Sequence, residues 1–325
     1  MEINNQIKEK KILIIDFAAS TGGAISVLNE YYEKAINDLD NQYIFLLNDY
    51  YFNETENVKI IILKKQKRWL RRLLFDYFSG RLLINEIKPD YIISLQNTIV
   101  RGVNVPQAVY IHQSIPFQRV KKFSFFKKKE AKLAIIQYLI GFCIKSSIKN
   151  ANEIIVQTEW MKNAIIEGCN VDLSKIKIER PVINNKLIRT AKKTQYSHFF
   201  YPTSSEIYKN NEIIYQAAEL LNKEGMKEFV VELTIDGESN DNIKKIGKIK
   251  RELVFKKYSE SVLLFPSYIE TFGLPLLEAK KCGTTIIASD TPFSHEILDD
   301  YDNAYFFNPF DAKELKEIMK KMIKR

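Results

Sequence analysis

The chain has 325 residues, 46% of them hydrophobic and 12% aromatic, and a formal net charge of +9. That length and composition fit two well-cored globular domains and exclude a disordered chain. Cys143, Cys169 and Cys282 share no paired spacing, which argues against a disulfide framework or a CxxC metal site and fits a reducing cytoplasm.

The charge is uneven. Residues 1–180 hold 27 Lys and Arg against 19 Asp and Glu, and residues 181–325 hold 22 against 21. An excess confined to the first half points to an acidic partner there, nucleic acid or an anionic membrane. The opening stretch MEINNQIKEKK is charged and leads into a strand, so it does not read as a signal peptide. The longest mostly apolar run, Leu133–Ile144, reads as too short for a bilayer span, which takes about 20 residues.

In chain order, Lys11–Phe17 (KILIIDF) reads as a buried strand, followed by a loop with Gly22 and Gly23 and a helix over Ile25–Asn37. A glycine pair between strand and helix permits close backbone approach to a ligand, although it lacks the GxGxxG spacing. Tyr43–Leu47 and Val58–Leu63 continue the strand series. Lys64–Arg72 (KKQKRWLRR) carries six basic residues around a tryptophan, and Leu73–Ile87 reads as helical. Strands follow at Tyr91–Leu95 and Ala108–Ile111, with His112 at the carboxyl end of the latter, where open α/β sheets bind ligands. Arg119–Lys132 (RVKKFSFFKKKEAK) has seven basic residues and one acidic, interleaved with Phe123, Phe125 and Phe126. Ile154–Val156 is the last strand before a helix that begins at Thr158.

Lys177–Tyr196 is polar and irregular and reads as a linker. The second half restarts with Phe199–Tyr201, a loop PTSSEIYKNN, a helix, and a strand over Val230–Ile235. Lys244–Ile249 carries Gly247. Ala304–Phe307 is a strand, and Asp311 with Glu314 spells a capping-box-like start to the last helix.

The most informative stretch is Ser261–Pro292. Val262–Phe265 is an apolar strand, Ile269–Gly273 a loop, Leu274–Cys282 a helix with Pro275 in its first turn and Gly283 past its end, and Thr284–Ala288 a buried strand. Backbone N–H groups of Thr271, Phe272, Gly273 and Leu274 sit at the helix N-terminus, which suits a phosphate. Glu270 and Glu278, eight residues apart, can reach polar groups of the same ligand, Glu278 a diol such as a ribose. The spacing alone equally fits an ordinary β-α-β unit with two solvated glutamates.

The spelling P-S-x-x-E-T-F-G-L-P-L-L-E-A-x-x-C-G closely resembles the donor-site motif of retaining glycosyltransferases of family 4, with Glu270 and Glu278 matching that family's E-x7-E pair. The resemblance implies an α/β fold of GT-B type, two Rossmann-like domains with parallel sheets facing a central cleft. On this reading residues 1–180 form the acceptor-side domain, 181–196 the linker, and 197–325 the nucleotide-sugar domain, with a final crossing helix possibly missing. It implies a catalytic group of His112, Glu270 and Lys209. His112 faces the donor sugar, Glu270 orients it, and Lys209, in Tyr208–Asn210, is the cation for the diphosphate. Glu278, Thr271, Phe272, Gly273 and Leu274 would hold the donor, Gly22 and Gly23 would line the acceptor side, and Gly247 the base side.

The chain departs from the family pattern at Thr203 and Ser204, where an arginine is usual; Lys248 is one possible substitute. The co-substrate implied is a nucleotide diphosphate sugar of UDP or GDP type, with no cofactor and no metal. An Asp-x-Asp is not read beside the diphosphate, and Asp300-Tyr301-Asp302 reads as a surface turn. The acceptor implied is a glycan or lipid-linked glycan. Both basic clusters, 64–72 and 119–132, are placed in the first domain and read as a peripheral contact with an anionic membrane at the inner face of the cell. Nucleic acid is the less expected partner, since no recognition motif is present. A non-catalytic GT-B subunit and a nucleic-acid-modifying GT-B protein are the competing readings.

Overall fold

The computed structural model describes residues 9–19, 23–181, 187–188 and 194–325. The chain divides into two compact units, Met1–Phe117 with Ile135–Pro181 and Gln118–Ala134 with Val182–Arg325.

The first unit contains β1 (Lys11–Asp16), α1 (Gly23–Asn37), β2 (Gln42–Leu47), β3 (Val58–Ile62), α2 (Trp69–Leu74), α3 (Gly80–Ile87), β4 (Tyr91–Ser94) and β5 (Gln107–Tyr110). After α4 (Ala131–Ala134), which clusters with the second unit, it resumes with α5 (Gly141–Asn150), β6 (Glu153–Val156), α6 (Glu159–Cys169) and β7 (Ile176–Ile178). Its sheet has the order β3-β2-β1-β4-β5-β6-β7, with every pairing parallel. Parallel strands are covered on both faces, which is why β1 and β5 read as near-continuous apolar runs. Leu13, Ile15, Phe17 and Ile92 pack with Phe75 and Ile84 on one side of the sheet, and Ile14, Phe45, Leu47 and Tyr110 pack with α1 on the other.

The second unit contains β8 (Gln195–Tyr201), α7 (Asn211–Lys223), β9 (Val230–Leu233), β10 (Ile243–Lys245), α8 (Arg251–Glu260), β11 (Ser261–Phe265), α9 (Leu274–Cys282), β12 (Ile286–Ser289), α10 (Pro292–Leu298), β13 (Ala304–Phe307) and α11 (Ala312–Ile323). Its order, β10-β9-β8-β11-β12-β13, is again wholly parallel. Each sheet therefore reverses direction once, between β1 and β4 in the first unit and between β8 and β11 in the second. The carboxyl ends of strands at such a reversal form the crevice where α/β sheets hold ligands.

Local sequence explains several boundaries. Thr158 caps α6 by accepting from Met161 N at 3.3 Å. Asp311 caps α11, accepting from Lys313 N at 2.9 Å and Glu314 N at 3.1 Å. The expected reciprocal bond is displaced: Glu314 accepts from Asn308 N at 2.8 Å rather than from the cap residue.

The structure corrects the sequence reading in four places. The stretch taken as linker begins inside β7, whose short apolar alternation is completed only by pairing with β6. β8 starts at Gln195, and residues 182–186 and 189–193 of the proposed linker lie outside the described residues. The basic segment 119–132 packs with the second unit, not the first. Finally, Ala131–Asn150 is a 20-residue helix, long and apolar enough to cross a membrane by length and composition.

Candidate active site

The second unit brings the predicted donor residues to its sheet reversal. The loop after β11 is stitched to the loop after β8. Tyr268 N donates to Tyr208 O at 3.1 Å, Ser267 Oγ donates to the same oxygen at 3.2 Å, and Asn210 Nδ2 donates to Pro266 O at 3.2 Å and Pro309 O at 2.7 Å. Tyr201 Oη donates to Lys209 O at 3.1 Å. Asn210 takes a left-handed conformation, φ 58°, which asparagine tolerates, and so turns the chain from the Lys209 turn into α7.

This stitching sets Lys209 Nζ 2.6 Å from Glu270 Oε1, with the two side chains 19% and 16% exposed. A cation and a carboxylate lie side by side at the strand ends, beside the N-terminus of α9. Gly273 stands at the N-cap with φ 87°, a region costly for any other residue. A Cβ there would also meet Leu276 and Phe293 at 3.4 Å. Phe272 is buried and anchors the turn, so the N–H groups of the first turn of α9 are held rather than loose.

Glu278 is not a solvated glutamate. It is 1% exposed, and both its oxygens are engaged. Arg251 Nη2 donates to Oε1 at 2.5 Å and Nη1 to Oε2 at 3.3 Å, while Tyr258 Oη donates to Oε2 at 3.2 Å. Burial pushes the carboxyl above its usual range, and the Arg251 and Tyr258 bonds pull it back. Arg251 opens α8 and its guanidinium also lies 5.3 Å from the centre of the Phe255 ring. Arg251 and Tyr258 are not legible in the sequence, because only the packing of α8 against α9 brings them to Glu278. A carboxylate accepts about four hydrogen bonds. Three are made here, which leaves one acceptor position of Glu278 open.

Gly247 follows β10 with φ 65°, and its N donates to Ile235 O at 3.1 Å. A Cβ would come within 3.0 Å of Asp236 Oδ1. Lys248 lines a separate cavity of about 450 Å³ with Ile249, Lys250, Glu252, Leu253 and Lys256 at the start of α8.

In the first unit, His112 follows β5. Its N and that of Gln113 donate to Asn97 Oδ1 at 2.8 and 2.9 Å. That orients Asn97 Nδ2 toward His112 Nε2 at 3.1 Å, so Nε2 accepts and the neutral ring carries its proton on Nδ1. Burial, helped by Arg72, pulls the imidazole down to about 4, so the ring stays neutral at neutral pH. Gly22 lies outside the described residues. Gly23 begins α1, and a Cβ there would meet nothing within 4 Å, so no protein neighbour requires glycine at that position.

The first unit also holds two buried carboxylates absent from the sequence reading, Asp16 at the end of β1 and Asp76 in the helical turn Phe75–Ser79. Asp16 accepts from Ala18 N and Ala19 N at 2.9 and 2.8 Å, and Asp76 from Thr98 Oγ1 and Gln96 Nε2 at 2.6 and 3.0 Å. Burial raises Asp16 to about 6 and Asp76 to about 7. Between the unfolded value near 4 and these raised values the folded chain holds protons that the unfolded chain has released. Stability from these groups therefore falls as pH rises from about 4 to about 7. Asp76→Asn flattens that fall, seen as a smaller drop in Tm between about pH 5 and pH 7 than in the wild type.

The 119–132 segment is partly spent on packing. Phe123 is buried, and Glu130 takes Ser124 N at 3.0 Å, Lys121 at 3.3 Å and Lys127 at 3.9 Å. Lys127, Lys128 and Lys129 form one wall of a cavity of about 870 Å³ whose other wall is Ser205–Ile207 with Asn211, Glu212, Tyr215 and Ile235. Asp300, in the turn read from the sequence, pairs with Lys280. A further Asp-x-Asp, Asp38-Leu39-Asp40, lies between α1 and β2, where Asp38 accepts from Tyr43 Oη at 2.6 Å.

Two Rossmann-like units with wholly parallel sheets of this order define a GT-B fold, as the sequence resemblance implied. Residues 189–325 match the family model described as Glycosyl transferases group 1. Among solved structures, the fold is similar to that of sucrose-phosphate synthase from Thermosynechococcus elongatus, at 16% identity and TM-score 0.70, covering 97% of this chain and 90% of that one. It is similar also to WaaG, a glycosyltransferase involved in lipopolysaccharide biosynthesis, at 12% identity and TM-score 0.68 with the same coverage. In sequence, the chain is 24% identical over 224 residues to the O-antigen chain mannosyltransferase RfbU of Salmonella typhimurium, covering 66% of this chain and 60% of that protein. It is 36% identical over 62 residues to the serotype-specific mannosyltransferase WbdA of Escherichia coli, which is 7% of that protein. The chain thus spans less than two thirds of either relative.

Proposed function

We propose that this chain is a retaining, metal-independent glycosyltransferase of family 4 type that moves a sugar from a nucleotide diphosphate sugar to a glycan or lipid-linked glycan. The observation that carries the reading is the joined pair of loops at the β8/β11 reversal, where Lys209 and Glu270 pair beside the N-terminus of α9, with Glu278 buried about one turn into that helix. As the glycosidic bond breaks, the sugar becomes oxocarbenium-like and the diphosphate gains charge. Lys209 and the α9 N–H groups stabilise that charge. Glu270 orients the sugar and tempers the lysine, and Glu278 accepts from the ribose diol. His112, neutral and donating from Nδ1, suits a sugar hydroxyl better than a charge-stabilising role. The nucleoside diphosphate leaves the anomeric carbon and the acceptor hydroxyl bonds to that carbon on the same face, its proton passing to the departing diphosphate oxygen, with no protein carboxylate as a covalent nucleophile.

RfbU and WbdA are mannosyltransferases, so a mannosyl nucleotide is the first donor to try, and cell-surface polysaccharide assembly is the setting. A thermal-shift panel of sugar nucleotides tests the reading, because a ligand raises Tm in proportion to its binding. One UDP or GDP sugar should raise Tm by several degrees, and turnover with that donor should survive EDTA. No shift with any sugar nucleotide would favour a non-catalytic subunit, and activity lost in EDTA and restored by magnesium would overturn the metal-free step. We place the enzyme at an anionic membrane, on the strength of the basic residues of 64–72 and 119–132.

A further inference from the structure

The first unit exposes an apolar ridge that its basic residues only border. On the segment Trp69–Ile87, every fourth residue from Leu70 is large and apolar: Leu70, Leu74, Phe78 and Leu82, each between 57% and 67% exposed. The opposite side of the same segment is already used, since Phe75 and Ile84 are buried in the core and a Cβ at Gly80 would collide with Phe75 and Val100. The segment is therefore apolar on both sides, which a helix facing water is not.

A second row lies alongside. Tyr138, Leu139 and Phe142 are 43%, 58% and 74% exposed, while Ile144, Ser147 and Ile148 on the same helix are buried. The rows are joined where the Tyr77 hydroxyl meets Cys143, and where Arg101 lies over the Tyr77 ring and donates to Ser146 Oγ at 2.7 Å. Each row also contains a π-turn, Phe75–Ser79 and Ile135–Ile140, and the extra residue per turn falls where Tyr77, Phe78, Tyr138 and Leu139 are turned outward. The helix Ala131–Asn150 meets the length of a span, but one of its faces, with Ile144 and Ile148, is built into the protein core.

The surround is basic. Lys64, Lys65, Arg68, Arg71 and Arg81 are exposed, Glu86 is the exposed carboxylate of 64–87, and 131–150 contains no acidic residue. A contiguous exposed apolar surface rimmed by cations and aromatic rings matches the interface of an anionic lipid leaflet.

We infer that the first unit docks on an anionic bilayer by inserting the ridge of Leu70, Leu74, Phe78 and Leu82 beside Leu139 and Phe142, with the basic residues as its rim. The inference rests on the membrane setting proposed above but changes what makes the contact: apolar insertion holds the protein, and charge guides it. The two respond differently to salt, because screening weakens charge attraction and leaves apolar burial intact.

The test is flotation of the full chain with vesicles containing about one third anionic phosphatidylglycerol, at about 0.1 M and about 0.5 M NaCl. The wild type should float at both. Phe78→Ser with Phe142→Ser should lose at least about tenfold in bound fraction at low salt and float no more at high salt. Tm and the nucleotide-induced shift, measured without lipid, should stay at wild-type values, which separates this inference from the glycosyltransferase reading. Wild-type flotation by the double variant overturns the inference, as does wild-type protein that floats only at low salt or not at all. A wild-type dimer that the same substitutions dissociate also overturns it, making the ridge a contact between two copies of the chain.

Discussion

Glu278→Ala should weaken donor-nucleotide binding by roughly five- to 150-fold. The substitution removes the acceptor for the ribose diol and leaves the buried Tyr258 hydroxyl without its partner. Each loss costs about 1–3 kcal/mol, roughly five- to 150-fold in affinity for the first. Arg251, 58% exposed on its side chain, turns to water and adds little to the loss of stability. Titration calorimetry with the nucleotide found in the thermal-shift panel reads the effect directly. The Arg251→Ala variant sharpens the assignment. Without the guanidinium, Glu278 is a buried carboxyl with only Tyr258 to hold its charge, and its pKa rises further. Nucleotide affinity in that variant should therefore improve with rising pH across the neutral range, while the wild type changes less. Nucleotide affinity unchanged in Glu278→Ala would mean that the buried cluster is structural and that the ribose lies elsewhere.

Removing Lys209 should cost more in turnover than in binding. Lys209→Ala takes away the cation paired with Glu270 in the loop before α9 and strands that glutamate without its 2.6 Å partner. Loss of one preorganised donor to developing charge lowers turnover by about 100- to 1,000-fold, or roughly 3–4 kcal/mol. Glu270→Ala should fall in kcat by a similar factor while nucleotide affinity changes only severalfold, since this residue is assigned to the sugar and not to the nucleoside. Steady-state kinetics with calorimetry on the same two variants checks both halves. Equal losses in affinity and turnover at Glu270 would move it from sugar orientation to simple donor binding, and wild-type turnover in Lys209→Ala would remove the lysine from the mechanism.

Glu270 and Lys209 sit on loops at strand ends, where a ligand can reach them and a short shift of backbone changes their separation. Glu278 sits inside a helix, clamped by two side chains from another helix, and can act only as a fixed acceptor. Under the proposed function, a paired group on loops would face the reacting end and a fixed one the recognition end, an arrangement that would suit differential binding.

The sequence by itself determined the parallel sheets, because strands covered on both faces must be apolar throughout, as in KILIID and SVLLF. It determined α9 to the residue, since Pro275 and Gly283 punctuate that helix chemically and need no tertiary help. It determined Glu270, Glu278 and the α9 N-terminus as a candidate donor site, since these stand within one continuous stretch. Tertiary structure alone decided the rest. Arg251 and Tyr258 reach Glu278 from 27 and 20 residues away, a distance over which no local pattern carries information. Lys209 and Glu270, 61 residues apart, become a pair only because two loops share hydrogen bonds. The burial of Asp16 and Asp76 could not be read because it depends on neighbours distant in sequence: Asp76, in the helical turn Phe75–Ser79, is covered by Gln96 and Thr98 from beyond β4. The apolar ridge was hidden for the converse reason: Leu74 and Phe78 look like core, and only the fold shows that Phe75 and Ile84 took the core and left them facing out.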